Sequence, residues 1–256
     1  MAPLVPVGAS VPLREGTHHV PGMAQPPVPA RSSSAVSAFL QKAAGVPALR
    51  PAPSPARLVF AVDATASRQP TWDRACHVQA EMFGATAGRL TVSLAYYRGH
   101  GEFMATPFLA DAAMLAARMT GVECRGGHTQ ILRLLRHVEA QAAAERLHAL
   151  VFVGDAVEEE PAPILAAASR LGARGVPAFV FQEGDDAGAA PVLRGIAKRS
   201  GGAWAPFDHR SPRALAELLR GAAAFAAGGR EALARLPGAG GLLAQLSGPA
   251  APGASR

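Results

Sequence analysis

The chain has 256 residues, 49% hydrophobic and 17% charged, with a formal net charge of +6. That is enough for one sizeable domain with appendages, its core built on aliphatic and small residues, since aromatics make up only 5%. The positive charge lies almost wholly on scattered arginines, Lys42 and Lys198 being the only lysines; no dense basic run with interleaved aromatics marks a nucleic-acid-binding surface, and none is expected.

The first segment, residues 1–56, is set apart by recurring prolines from Pro3 to Pro55 and by the serines at Ser32 to Ser34. Such a composition buries too little apolar surface to offset chain entropy, so most of it is expected to be extended or disordered. One exception lies within it at 34–45. Val36, Phe39 and Leu40 stand at helical spacing, with Ser34 as an N-cap and Gly45 past the end. A short amphipathic helix docking on the domain or on a partner, or a transient helix in a linker, fits equally.

From 57 to 227 apolar runs alternate with helical stretches. "RLVFAVD" (57–63), "RLTVSLAYY" (89–97), "LHALVFVGD" (147–155) and "VPAFVFQ" (176–182) are short, rich in Val, Leu and Phe, and suit buried parallel strands. Between and after them come helices. Residues 128–145 carry the stripe Ile131, Leu134, Leu135 and Val138; residues 158–175 tolerate Pro161 in the first turn; residues 211–226 open on the capping pair Ser211-Pro212. The alternation predicts an α/β fold: a doubly wound, mostly parallel sheet flanked by helices. The tail, 228–256, is rich in Gly, Pro and Ala apart from "GLLAQLSG" and is expected to be mostly flexible.

No window reaches the roughly 18 continuous apolar residues of a membrane span. Met1-Ala2-Pro3-Leu4 does not open a signal peptide, so a cytoplasmic protein is expected. Cys76 and Cys124 form neither a CxxC pair nor a disulfide framework and are expected to be structural thiols in a reducing compartment.

In open α/β sheets ligands bind beyond the carboxyl ends of the strands. Asp63 and Asp155 both sit at such ends, and "RGGHTQ" (125–130) brings Thr129 to a helix start behind two glycines that permit close backbone approach. Taken singly, an Asp after a strand is a common turn residue and Thr129 could be an N-cap. Together with Thr65 and Ser67, these residues supply two carboxylates and three hydroxyls, the oxygen-only set that hard Mg²⁺ prefers.

The region 57–227 resembles a von Willebrand factor type A (VWA) domain, and "DATAS" (Asp63, Thr65, Ser67), "GGHT" (Thr129) and "VGD" (Asp155) resemble its metal-ion-dependent adhesion site (MIDAS). The resemblance implies that Thr65, Ser67 and Thr129 contact Mg²⁺, with Mn²⁺ as a substitute, while Asp63 and Asp155 act directly or through water. It also implies binding without catalysis: an acidic side chain, Asp or Glu, from a partner protein completes the coordination. An adaptor tethered in a larger intracellular assembly, with a chaperone or an ATPase, is the expected setting. The Ala/Arg/Gly-rich, Lys-poor composition points to a bacterial source.

Thr65 replaces the usual Ser and keeps the hydroxyl; Gly154-Asp155-Ala156 replaces the usual Thr-Asp-Gly. His128 is either a gate or polarising group beside Thr129, or an exposed loop histidine. Glu158, Glu159 and Glu160 are expected to complement the N-terminus of the helix they precede.

Two other readings stay open. One is a metal-free VWA scaffold. The other is a phosphohydrolase, since the first and last motifs also resemble those of haloacid dehalogenase-like enzymes, with Asp63 as nucleophile and Asp155 as Mg²⁺ ligand. That family's second acid would stand where Thr65 is, and no lysine lies between Asp63 and Asp155. A P-loop and a nucleophile elbow are both absent from the sequence.

Overall fold

The computed structural model describes residues 37–39, 41–42, 54–68, 89–207 and 212–236. The first strand, β1 (Ala56–Asp63), lies near the middle of a six-stranded sheet whose other members are β2 (Leu90–Arg98), β3 (Glu102–Ala105), β4 (Ala149–Gly154), β5 (Ala178–Glu183) and β6 (Ala203–Phe207). The order is β3-β2-β1-β4-β5-β6, with every pairing parallel except the hairpin of β2 and β3. The longer described helices are α1 (Ala112–Thr120), α2 (Ile131–Ala144), α3 (Pro161–Ala173), α4 (Ala189–Ser200) and α5 (Pro212–Ala234).

Strand alternation builds two cores from this single sheet. Along β1, Leu58, Phe60 and Val62 join the face covered by α1 and α5, while Val59 and Ala61 join the face covered by α2, α3 and α4. Because both faces are covered, β1, β4 and β5 are almost continuously apolar and buried, as parallel strands require. The fold is therefore a doubly wound α/β sheet.

The four strands read from the sequence are β1, β2, β4 and β5, and the three helices are α2, α3 and α5. The structure adds β3, β6, α1 and α4. α5 breaks at Gly228 and Gly229, the latter at φ 65°, and continues to Ala234 with Leu233 buried on the same face as Phe225.

Ser37–Phe39 and Gln41–Lys42 are helical. Phe39 is fully buried with its ring edge-on to Phe179 and Phe181, centroids 5.8 and 5.2 Å apart. The core thus takes in side chains on either side of 57–227. Ser34, Val36, Leu40, Gly45, Cys76, Ser211 and the stretch "GLLAQLSG" lie outside the described residues. Among the described residues no helix is long and apolar enough to cross a membrane.

Candidate functional site

β1 ends because Asp63 turns the chain. Its Oδ1 accepts the N–H of Thr65 at 2.8 Å, an Asx-type turn, and the short 3₁₀ turn Ala66–Arg68 follows. The turn sets the Thr65 and Ser67 hydroxyls 3.1 Å apart, within hydrogen-bond distance. Asp63 is fully buried, Thr65 is nearly so, and Ser67 is exposed. The first three candidate donors therefore form one connected group running from the sheet to the surface.

The Gly-rich loop before α2 is fastened to this group through its backbone. The Arg125 N–H donates to the Ala64 carbonyl at 3.1 Å, and the Ala64 N–H donates to the Tyr97 carbonyl at 3.0 Å. Gly127 lies so tightly against the β2–β3 turn that a Cβ there would fall 1.9 Å from the Gly99 carbonyl oxygen. Only glycine allows that approach. The turn itself carries Gly99 and Gly101 at φ 57° and 86°.

Thr129 is buried, and its partner is Glu158 on the loop after β4. The Thr129 N–H donates to the Glu158 carboxylate at 2.9 Å, while the Glu158 N–H donates to the Thr129 hydroxyl at 3.0 Å. This reciprocal pair ties the second and third motifs together. Thr129 is not the N-cap of α2: Gln130 holds that position and makes no side-chain cap.

Capping comes from Glu159, whose carboxylate accepts the N–H groups of Ile131 and Leu132. The glutamates were expected to serve the helix they precede, α3. Glu158 and Glu159 instead reach across to the start of α2, because the loop before α2 is fastened to Ala64 just past β1, and β4 is the neighbour of β1 in the sheet.

Asp155 is half-buried, and its Oδ1 is buried without a hydrogen-bond partner. Burial pushes the Asp63 carboxyl above the usual carboxylate range and the nearby Asp155 charge adds to that; bonds from Thr65 and Tyr97 hold it back. The two aspartates are therefore electrostatic neighbours. Among the described residues no Arg, Lys or His forms an ion pair with either one. His128 is 76% exposed and its Nδ1 lies 3.3 Å from Glu158 Oε2, with the His100 ring edge-on to it at 5.9 Å.

Sequence reasoning missed three residues here. Tyr97 is fully buried and its hydroxyl donates to Asp63 Oδ2 at 3.0 Å; nothing in an apolar strand signals where a tyrosine hydroxyl ends. Glu158 and Glu159 were noticed, but their partners lie about thirty positions back along the chain and leave no local mark.

In chemical terms, two carboxylates and three hydroxyls offer oxygen alone. Among the described residues no three His, Cys, Asp or Glu side chains gather as a metal-binding group, so a nitrogen- or sulfur-based site has no support. The hard-cation donor set and the orphaned Asp155 oxygen are compatible with Mg²⁺.

No protein-family model and no curated protein sequence matches the chain. Solved structures do. The von Willebrand factor type A protein from Catenulispora acidiphila is 21% identical, covering 68% of this chain and 43% of its own, with a TM-score of 0.57. The SpRpn10 VWA domain is 10% identical, covering 64% and 93%, with a TM-score of 0.52. Proximal thread matrix protein 1 from the mussel byssus, with a zinc-occupied MIDAS motif, is 16% identical, covering 68% and 49%, with a TM-score of 0.55. The sheet order, the helices on both faces and these likenesses together give the chain the fold of a von Willebrand factor type A domain.

Proposed function

We propose that this chain is a metal-dependent protein-interaction module, with Asp63, Thr65, Ser67, Thr129 and Asp155 holding Mg²⁺ or, in its place, Mn²⁺. The observation that carries the reading is the buried, partnerless Oδ1 of Asp155 beside the buried Asp63, with no basic side chain paired to either among the described residues. A buried carboxylate close to the charge of a second, half-buried one is costly unless one is protonated or a cation joins them. When bound, the cation supplies a hard Lewis-acid centre with a position open to a carboxylate oxygen.

The chain's own residues do the rest. The Asp63 turn presents the Thr65 and Ser67 hydroxyls, the Glu158 pair holds Thr129, and the Glu159 cap fixes the start of α2 behind it. Ser67 and His128, both exposed, stand on the rim a partner would meet. The partner is a protein that presents Asp or Glu. The solved structures of VWA domains, one of them with metal at its MIDAS, support this reading through their shared fold.

The test is calorimetric titration of Mg²⁺ into the wild-type chain and Asp63→Ala, followed by partner capture in Mg²⁺ and in chelator. Saturable Mg²⁺ binding lost in Asp63→Ala, with capture lost in the same variant and in chelator, is the expected result. Binding that survives Asp63→Ala would sink the site.

A further inference from the structure

The register of the sheet sets Asp63 on β1 directly beside Tyr97 on β2. Parallel neighbours at one level point to the same face, so the phenol and the carboxylate meet on the side covered by α2, α3 and α4. Tyr97 then holds the end of β1 twice: its carbonyl takes the Ala64 N–H at 3.0 Å, and its hydroxyl donates to Asp63 Oδ2 at 3.0 Å. Thr65 N–H takes the other oxygen, Oδ1, at 2.8 Å. The carboxylate is thus held through both of its oxygens, from Tyr97 on one side and Thr65 on the other.

The tyrosine cannot swing away. Its side chain is 0% exposed and its ring packs near Phe152, centroids 6.4 Å apart. A buried tyrosine that merely needed a partner could have taken a backbone carbonyl. This one takes a carboxylate that has no basic partner of its own among the described residues.

Resting on the metal-centre reading above, we propose that Tyr97 is the positioning residue of that centre: its hydroxyl locks the Asp63 carboxylate in the orientation that receives the cation. Hydrogen-bonded partners behind metal ligands matter for metal affinity nearly as much as the ligands do. Tyr97→Phe removes one oxygen and keeps the packed ring, which separates the hydroxyl from the fold.

The experiment is Mg²⁺ calorimetry on the full chain as wild type, Tyr97→Phe and Tyr96→Phe, with circular dichroism as the folding check. Tb³⁺ then replaces Mg²⁺ to give a spectroscopic reading. The chain has two tyrosines and two tryptophans, so the sensitised Tb³⁺ emission is assigned by comparing the two tyrosine variants. Tyr97→Phe is expected to weaken Mg²⁺ binding by about tenfold or more and to lose the tyrosine component of the Tb³⁺ excitation spectrum, while Tyr96→Phe keeps both.

Mg²⁺ affinity in Tyr97→Phe within about twofold of wild type overturns the role of Tyr97 and leaves the metal centre standing. A wild-type chain that takes up neither ion overturns the metal centre itself, and this inference with it. If Tyr97→Phe does not fold, Tyr96→Phe decides through its Tb³⁺ excitation spectrum: a tyrosine band places Tyr97 beside the ion as the role requires, and bound Tb³⁺ without that band overturns the role.

Discussion

At the N-terminal end of the central strands the fold buries His148, and at their C-terminal end it buries Asp63 beside the half-buried Asp155. The first group is partnered at one nitrogen, while its Nε2 is buried without a hydrogen-bond partner. His148 Nδ1 accepts the Arg57 N–H at 3.0 Å, and the Arg57 guanidinium lies 3.8 Å from the Phe108 ring centroid and pairs with Glu145 at 2.9 Å. Burial, with Arg146 next, lowers the His148 pKa, so the ring meets its apolar surroundings by staying neutral. At the other end burial and mutual charge raise the Asp63 carboxyl, and only hydrogen bonds oppose the rise. An imidazole can shed its charge near neutral pH; a buried carboxylate near a second negative charge is relieved by a proton or a cation. Both ends thus keep a buried polar atom without a hydrogen-bond partner, His148 Nε2 at one and Asp155 Oδ1 at the other, but only the second lies among carboxylates with no basic side chain paired to them among the described residues.

That contrast breaks most visibly at Asp63. Asp63→Ala is expected to weaken Mg²⁺ binding by at least about 100-fold, roughly 2.7 kcal/mol, in a calorimetric titration, while leaving the acid titration of the His148 end unchanged. Next in size is Glu159→Ala, which strips two N–H groups at the start of α2 of their acceptor. A loss of about 1–2 kcal/mol in denaturant melts is expected, with Mg²⁺ binding weakened indirectly through Thr129.

The His148 end gives the pH dependence. Its folded-state pKa is depressed, so its contribution to stability is present above the unfolded value of about 6.5 and is lost as pH falls through the folded value. His148→Asn places an amide oxygen where Nδ1 accepts from Arg57, and it should flatten the acid side of the stability profile in thermal melts. The lowered pKa of His137, also a burial effect, leaves a residual slope. The smallest effect is expected from Glu145→Ala. Its pair with Arg57 is largely solvent-exposed on the Glu side, so melting should register less than about 1 kcal/mol.

How much of this was legible in the sequence depends on whether the cause is local. β1, β2, β4 and β5 announce themselves through runs of Val, Leu and Phe that are buried on both faces. β6 carries Pro206 and alternates buried with half-buried residues, and β3 has four residues at an edge, so neither makes such a run. α4 hides behind Pro191 and Gly195, two poor helix formers, although Gly201 closes it in the left-handed conformation that a helix end favours.

In the candidate site the same division holds. Asp63, Thr65 and Ser67 lie within five residues, and their alternation is visible in the chain. Thr129 and Asp155 could be added through the fold that the alternation of elements implied. Tyr97, Glu158 and Glu159 could not be placed, because strand register and loop adjacency decide which carboxylate meets which donor. Phe39 was visible as part of an amphipathic stripe, but its packing against Phe179 and Phe181 depends on which sheet face lay open near it.

The most direct test is Mg²⁺ titration of the wild-type chain beside Asp155→Asn, which keeps the shape of the side chain and removes the charge on the partnerless oxygen. A saturable Mg²⁺ site in the wild type, weakened about tenfold or more in Asp155→Asn, is the result expected. A wild-type chain without such a site, or a variant that binds as tightly as wild type, would contradict the claim that these two aspartates share a cation.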